Sequence, residues 1–202
     1  MNSKTILSIH YLPCVNWFRH FLFDENVILD QHENFVKQTY RNRCVILSAN
    51  GPLALTIPIK KTKHKILMHE VEIENDFAWQ KQHWEAIRSA YNSSPFFEHY
   101  EHHFYKFYHN EYKELQNYHL ELIRVCLKIM KVEKEIILSD EYVKPQPYLI
   151  DLREVIHPKK NINIEFNPYL QVFTEKFPFV QNLSIIDVLF NHGKDAINKL
   201  RI

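Results

Sequence analysis

Residues 43–59 read RCVILSANGPLALTIPI. Two apolar runs, Arg43–Ser48 and Leu53–Ile59, flank Asn50-Gly51-Pro52, the strongest turn signal in the chain. The pattern predicts two strands, the second antiparallel to the first. Working back toward the N-terminus, Thr5–Ile9 is a short apolar run that ends at His10 and reads as a buried strand. Pro13 then breaks the chain. Residues 14–24, CVNWFRHFLFD, place Val15, Phe18, Phe21 and Leu22 at helical spacing. Asn26–Asp30 is a further strand ending in a carboxylate. Downstream, Val71 and Ile73 alternate with Glu70, Glu72 and Glu74, so residues 69–74 predict a half-exposed strand.

The character changes after Asn75. Trp79, Trp84, Ile87 and Tyr91 mark one face of a helix over residues 77–91. Ser93-Ser94-Pro95 stops it and opens an aromatic helix over 95–109. Residues 111–131 form the longest helix, with Leu115, Tyr118, Leu122, Val125 and Ile129 recurring every three or four positions. Residues 140–180 are proline-rich and read as extended loops with one or two short strands. Ser184 is placed to cap a last helix, Ile185–Asn191, which Gly193 terminates. The sum is one α+β domain over 1–202, an N-terminal mixed or antiparallel sheet region followed by a helical half. Residues 1–75 are strand-rich, 76–131 helical, and 132–202 loop-rich with a final helix.

Composition excludes several function classes. Among 202 residues there are 25 Lys and Arg against 24 Asp and Glu, a net charge of +1. A nucleic-acid binder needs a basic excess for phosphate contacts, so no nucleic-acid partner is expected. The run Lys60, Lys61, Lys63 and Lys65 reads as a solvated loop. Only two glycines, Gly51 and Gly193, are present, too few for a glycine-rich phosphate loop. No apolar run reaches the length of a membrane helix. Cys14, Cys44 and Cys126 are odd in number and widely spaced, which reads as reduced thiols in a cytoplasmic protein.

The candidate chemistry lies in residues 10–43. His10 follows a buried strand directly, a position suited to a general base, or else to a turn cap. Asp30 and Gln31 end the second strand in the same way. Asp30 is equally a turn aspartate or a group that orients a histidine or accepts from a substrate amine. Lys37, Tyr40, Arg41, Asn42 and Arg43 form a donor-rich stretch whose guanidinium forks suit carboxylate or phosphate, or else a solvated strand edge. Tyr11 and His83 are further ligand-binding candidates, His83 because it falls one turn from Trp79. Cys14 near a helix start is a possible nucleophile, although a buried thiol is the commoner fate. His99, His102 and His103 cluster on the aromatic helix but lack a further ligand at a convincing spacing, so no metal is expected.

The order of these segments resembles the WbqC-like family. The resemblance is carried by His10-Tyr11-Leu12-Pro13, Val27-Ile28-Leu29-Asp30, Lys37 leading to Tyr40-Arg41-Asn42-Arg43, and Leu55-Thr56-Ile57-Pro58-Ile59. It continues through Trp79, His83-Trp84, Tyr91, Pro95-Phe96-Phe97 and Tyr100 to Ser184-Ile185-Ile186-Asp187-Val188-Leu189-Phe190-Asn191. The resemblance implies a bacterial protein encoded among surface-polysaccharide (O-antigen) genes, and an acyl- or aminoacyl-transferase passing glycine or a related group to an amino sugar. In that reading His10 is the base, Asp30 orients it or binds the amine, and Asn42 donates to a developing oxyanion. Tyr11, Gln31, Lys37, Tyr40, Arg41, Arg43 and His83 bind a small-molecule substrate, a nucleotide-linked amino sugar. No cofactor is specified and the oligomeric state is open. The alternative is a non-enzymatic sugar-phosphate-binding or assembly protein of the same pathway.

Overall fold

The computed structural model describes residues 4–160 and 166–201. Strand β1 (Lys4–Ser8) feeds helix α1 (Val15–Phe23), which returns the chain to β2 (Asn26–Asp30). The helix acts as a crossover, so β1 and β2 pair in parallel, in register from Lys4 with Asn26 to Ser8 with Asp30. The hairpin β3 (Arg43–Ser48) and β4 (Gly51–Thr56) is antiparallel, pairing Ser48 with Gly51 and Arg43 with Thr56. Three helices follow: α2 (Trp79–Tyr91), α3 (Phe97–His109) and α4 (Leu115–Met130). The short strand β5 (Leu149–Asp151) then joins the free side of β1, again in parallel. Helix α5 (Ile185–His192) and a short α6 (Ala196–Lys199) complete the described chain.

The strands therefore form two sheets, a parallel one in the order β2-β1-β5 and the β3-β4 hairpin. The expected α+β architecture holds. The outer side of β2 is covered by residues 137–139, where Leu29 N–H donates to Ile137 O and Ser139 N–H donates to Leu29 O. The hairpin ladder is continued by Ile57 N–H donating to Asn42 O, and the hairpin is tied to the rest by Ser184 N–H donating to Val45 O. The core between these layers is aromatic: Trp17, Phe18, Phe21, Phe97, Phe104, Phe107, Tyr118 and Phe190 are all fully buried. Rings of this size dominate core energetics.

Two local expectations are corrected. Residues 69–74 are not a continuous strand. Met68–Glu70 is a single 3-10 turn, and Glu72 and Ile73 make only isolated bridges, to Glu114 and Ile59. The alternation there satisfies two different neighbours instead of one partner strand. Ser184 does stand at the N-terminus of α5, but its hydroxyl donates to Leu12 O at 2.8 Å and makes no cap bond. Leu12, with φ of +37°, is buried, and a buried carbonyl needs such a partner.

Candidate functional site

The three parallel strands end on one edge of their sheet, at Ser8, Asp30 and Asp151. Open parallel sheets bind ligands outside the carboxyl ends of their strands. At this edge the loop after β2 brings in Glu33 and Arg41, and the segment after β5 brings in Arg153 and Glu154. Together with Asn34, Val36, Tyr142, Pro145 and Asp151 they line a cleft of about 410 Å³.

An ion-pair network builds its walls. Arg41 Nε donates to Glu33 Oε1 at 2.8 Å, and a terminal nitrogen donates to Glu33 Oε2 at 2.6 Å and Glu154 Oε1 at 3.1 Å. Ser8 Oγ adds a bond to Glu33 Oε2 at 3.1 Å. Across the cleft, Arg153 Nε donates to Asp151 Oδ1 at 2.9 Å, and its terminal nitrogens bond Asp151, Asp30 and Val143 O. Asp30 is fully buried and also accepts from Ser139 Oγ at 2.9 Å. Burial alone would lower the Arg41 pKa, but the hydrogen bonds and charge of Glu33, with Glu154, raise it above its ordinary value. Burial raises the Glu33 carboxyl against the pull of Arg41. Burial also acts to raise Asp151, and the Arg153 bonds outweigh it, holding that carboxyl low.

Of the residues singled out in the sequence, Arg41 lines this cleft and Asp30 stands behind it, holding Arg153. Gln31 lies beside them, donating to Ser139 O at 2.7 Å and accepting from Gln116 Nε2 at 2.9 Å. His10 is buried against Tyr40, with ring centroids 5.5 Å apart, and neither ring nitrogen has a hydrogen-bond partner among the described residues. Burial, then the nearby Arg41 charge, holds its pKa well below the usual histidine value, so the imidazole is neutral. Asn42 uses its side-chain N–H on Ile57 O at 2.9 Å. Tyr11 and His83 are joined to each other elsewhere: the Tyr11 hydroxyl lies 3.0 Å from His83 Nδ1 and 2.9 Å from the Tyr108 hydroxyl. Arg43 lies on β3, its Nε donating to Thr56 Oγ1 at 3.1 Å, and Lys37 is exposed. Neither of the last two lines the cleft.

Sequence reasoning missed Glu33, Tyr142, Asp151, Arg153 and Glu154. The signal available was Leu149-Ile150-Asp151-Leu152-Arg153-Glu154, an apolar pair running into charge, the same strand-end pattern that marked Asp30. The thiol reading weakens, since burial pushes Cys14 up to about 11 and all three cysteines are buried. Among the described residues no group of three or more His, Cys, Asp or Glu is arranged to hold a metal ion, and no helix is long and apolar enough to cross a membrane.

The family model described as "WbqC-like protein family" matches residues 9–157 and 151–199, a span that contains every residue lining the cleft. The uncharacterized protein Rv1507c of Mycobacterium tuberculosis is 26% identical over 98 residues, which cover 48% of this chain and 42% of that relative. The chain thus matches less than half the length of that relative. No solved structure matches. The family match spans nearly all of the sequence, and on that ground the chain belongs to the WbqC-like protein family.

Proposed function

We propose that the cleft at the carboxyl edge of β1, β2 and β5 binds a small polar substrate, and that the chain is a cytoplasmic acyl- or aminoacyl-transferase acting on a nucleotide-linked amino sugar in bacterial surface-polysaccharide synthesis. The observation that carries the reading is the convergence of Glu33, Arg41, Asp151, Arg153 and Glu154 from the ends of β2 and β5 on one 410 Å³ cleft. Buried polar side chains locked by mutual hydrogen bonds give a rigid, pre-set surface, which binding and catalysis both need. In this reading Asp30 is a positioning residue that fixes Arg153. Glu154, which is largely exposed, takes the proton that an attacking amine must release. His10, neutral and buried beside Tyr40, remains the candidate base from the sequence side and lies outside the cleft lining.

One observation favours a non-enzymatic binding role instead. The cleft is lined by no His, Ser, Thr or Cys among the described residues, so these common acyl-accepting nucleophiles are not on offer there. The two readings separate in one assay. Purified protein is incubated with a nucleotide-linked amino sugar and a panel of activated aminoacyl and acyl thioesters or esters, and N-acylated product is sought by mass spectrometry. Product formation that drops a hundredfold or more in Glu154→Gln supports the transferase. Saturable binding of the sugar nucleotide with no product from any donor favours the binding protein.

A further inference from the structure

The charges around the cleft are unequal. Four carboxylates, Asp30, Glu33, Asp151 and Glu154, meet two guanidiniums, Arg41 and Arg153. Every guanidinium nitrogen of both arginines already makes a bond, leaving each with one uncommitted terminal N–H and no free pair. Arg41 spends Nε and one terminal nitrogen on Glu33 and Glu154, and its other terminal nitrogen on Thr39 Oγ1 at 3.4 Å. Arg153 spends Nε and both terminal nitrogens on Asp151, Asp30 and Val143 O. A phosphate entering the cleft would find no free fork and would face surplus negative charge. The free capacity is of the opposite kind: the Glu154 side chain is 66% exposed and that of Asp151 26%, each offering carboxylate lone pairs to the cleft. The wall beside them is not acidic. Tyr142 lies against the Arg153 guanidinium at 4.8 Å, remains 45% exposed, and stands next to Pro145. A fixed aromatic face beside acceptor oxygens suits a ring that carries an amine.

Resting on the cleft assignment above, we infer that this cleft takes the amine end of its substrate: a protonated primary amine held by Asp151 and Glu154, on a sugar-sized ring packed against Tyr142. The phosphate groups of such a substrate lie outside the cleft. The arginines that looked like phosphate ligands in the sequence act as scaffolding that holds the carboxylates in place. Discrimination follows from the same geometry, because an N-acetylated amine carries no charge and brings a bulky carbonyl toward Glu154.

The test is calorimetric titration of the full chain with UDP-glucosamine and with UDP-N-acetylglucosamine, which differ at the amine alone, on wild type, Glu154→Gln and Tyr142→Leu. Thermal denaturation establishes that each variant is folded. The expected result is that UDP-glucosamine binds at least tenfold more tightly than its acetylated form. That preference should collapse in Glu154→Gln, and both ligands should weaken in Tyr142→Leu. Equal binding of the two ligands, or a preference indifferent to Glu154→Gln, overturns the amine assignment. If that equal binding is still lost in Tyr142→Leu, the cleft itself survives as the site. Binding of neither ligand, or binding indifferent to both variants, overturns the amine assignment and the cleft reading together.

Discussion

Arg41 lays its guanidinium fork across both carboxylate oxygens of Glu33, at 2.8 and 2.6 Å, with 1% of the arginine and 4% of the glutamate exposed. Bidentate geometry is what lets two buried charges offset their lost hydration. Removing one partner leaves the other stranded, so Arg41→Met is expected to cost about 3–5 kcal/mol in denaturant unfolding. The paired change Arg41→Met with Glu33→Leu is expected to recover most of that loss. A neighbouring arginine provides the contrast. Arg43 is half-exposed and its side chain is bonded, among the described residues, only to Thr56, and Arg43→Ala is expected to stay within about 0.5 kcal/mol of wild type. Equal losses at the two positions would contradict the buried-pair account.

Three buried histidines give the fold a steep acid limb. Burial, then the Arg41 charge, depresses His10 well below its ordinary value, and burial brings His83 to about 4 and His119 to about 3. A histidine whose folded pKa is depressed contributes stability that is present above the unfolded value near 6.5 and is lost as pH falls through the folded value. Each proton withheld costs about 1.4 kcal/mol per pH unit, so three together approach about 4 kcal/mol per unit below pH 6. That slope is large against a typical stability of about 5–15 kcal/mol. Unfolding free energies measured between pH 7 and 5 should fall, less steeply than the histidines alone dictate because the raised carboxyls of Asp187 and Glu33 act in the opposite sense, and His119→Leu should remove about a third of the histidine contribution. A profile over that interval that His119→Leu leaves unchanged would rule out neutral burial of that ring.

The parts of the fold written in local pattern were legible; the parts written in distant pairing were not. Asn50-Gly51-Pro52 announced the hairpin, and the Leu115-to-Ile129 stripe announced α4, because turn chemistry and helical period are properties of a few adjacent residues. Nothing local said that β1 and β2 run parallel, since α1 has only nine residues and a short amphipathic segment fits either topology. β5 has three residues, too few to show a period, and it is β5 that delivers Asp151 and Arg153 to the cleft. The sequence therefore showed Asp30 and Arg41, two of the six charged members of the network, while their partners Arg153 and Glu33 lay 123 and 8 positions away with no pattern to join them.

Asp187 titrates in the opposite sense to the histidines. It is fully buried on α5, accepting from Tyr169 Oη at 2.8 Å and Gln171 Nε2 at 3.1 Å, with Oδ1 unpartnered among the described residues. Burial raises its pKa to about 6, against the pull of those donors. A carboxyl raised in the fold contributes stability that is fully present below its unfolded value near 3.9 and is lost as pH rises through about 6. Asp187→Asn cannot titrate, so its stability relative to wild type should rise by about 3 kcal/mol between pH 4 and 8. Parallel stability curves for the two proteins would show that Asp187 does not carry this charge change.

All three thiols should be silent in the native protein. Burial raises Cys14 to about 11, and Cys44 and Cys126 higher still. Thiolate is the reactive form, so an aromatic disulfide reagent at pH 7.5 is expected to titrate no group in the folded chain within minutes and three in denaturant. One fast equivalent in the native state, lost in Cys14→Ala, would restore that residue as a nucleophile candidate.

Gly193 and Gly51 separate two costs that a positive φ usually mixes. Gly193 ends α5 with φ of +58° and ψ of −133°, a conformation that only glycine adopts readily. A Cβ there would also meet the Phe96 ring at 2.9 Å. That ring has little room to retreat, since Phe96 N–H is bonded to Phe190 O at 2.9 Å and its ring stacks on Tyr100. Gly51, at φ of +103°, would place its Cβ 4.0 Å from Phe177, an ordinary contact. Gly51→Ala should therefore show backbone strain alone, about 1–2 kcal/mol. Gly193→Ala should add an overpacking cost, for a total of about 2–4 kcal/mol. The double variant Gly193→Ala with Phe96→Ala resolves the two: removing the ring should relieve the clash, so the combined loss falls short of the sum of the single losses. Strict additivity would mean that the helix end yields without touching Phe96, and that the close approach of that ring is not what requires glycine at this position.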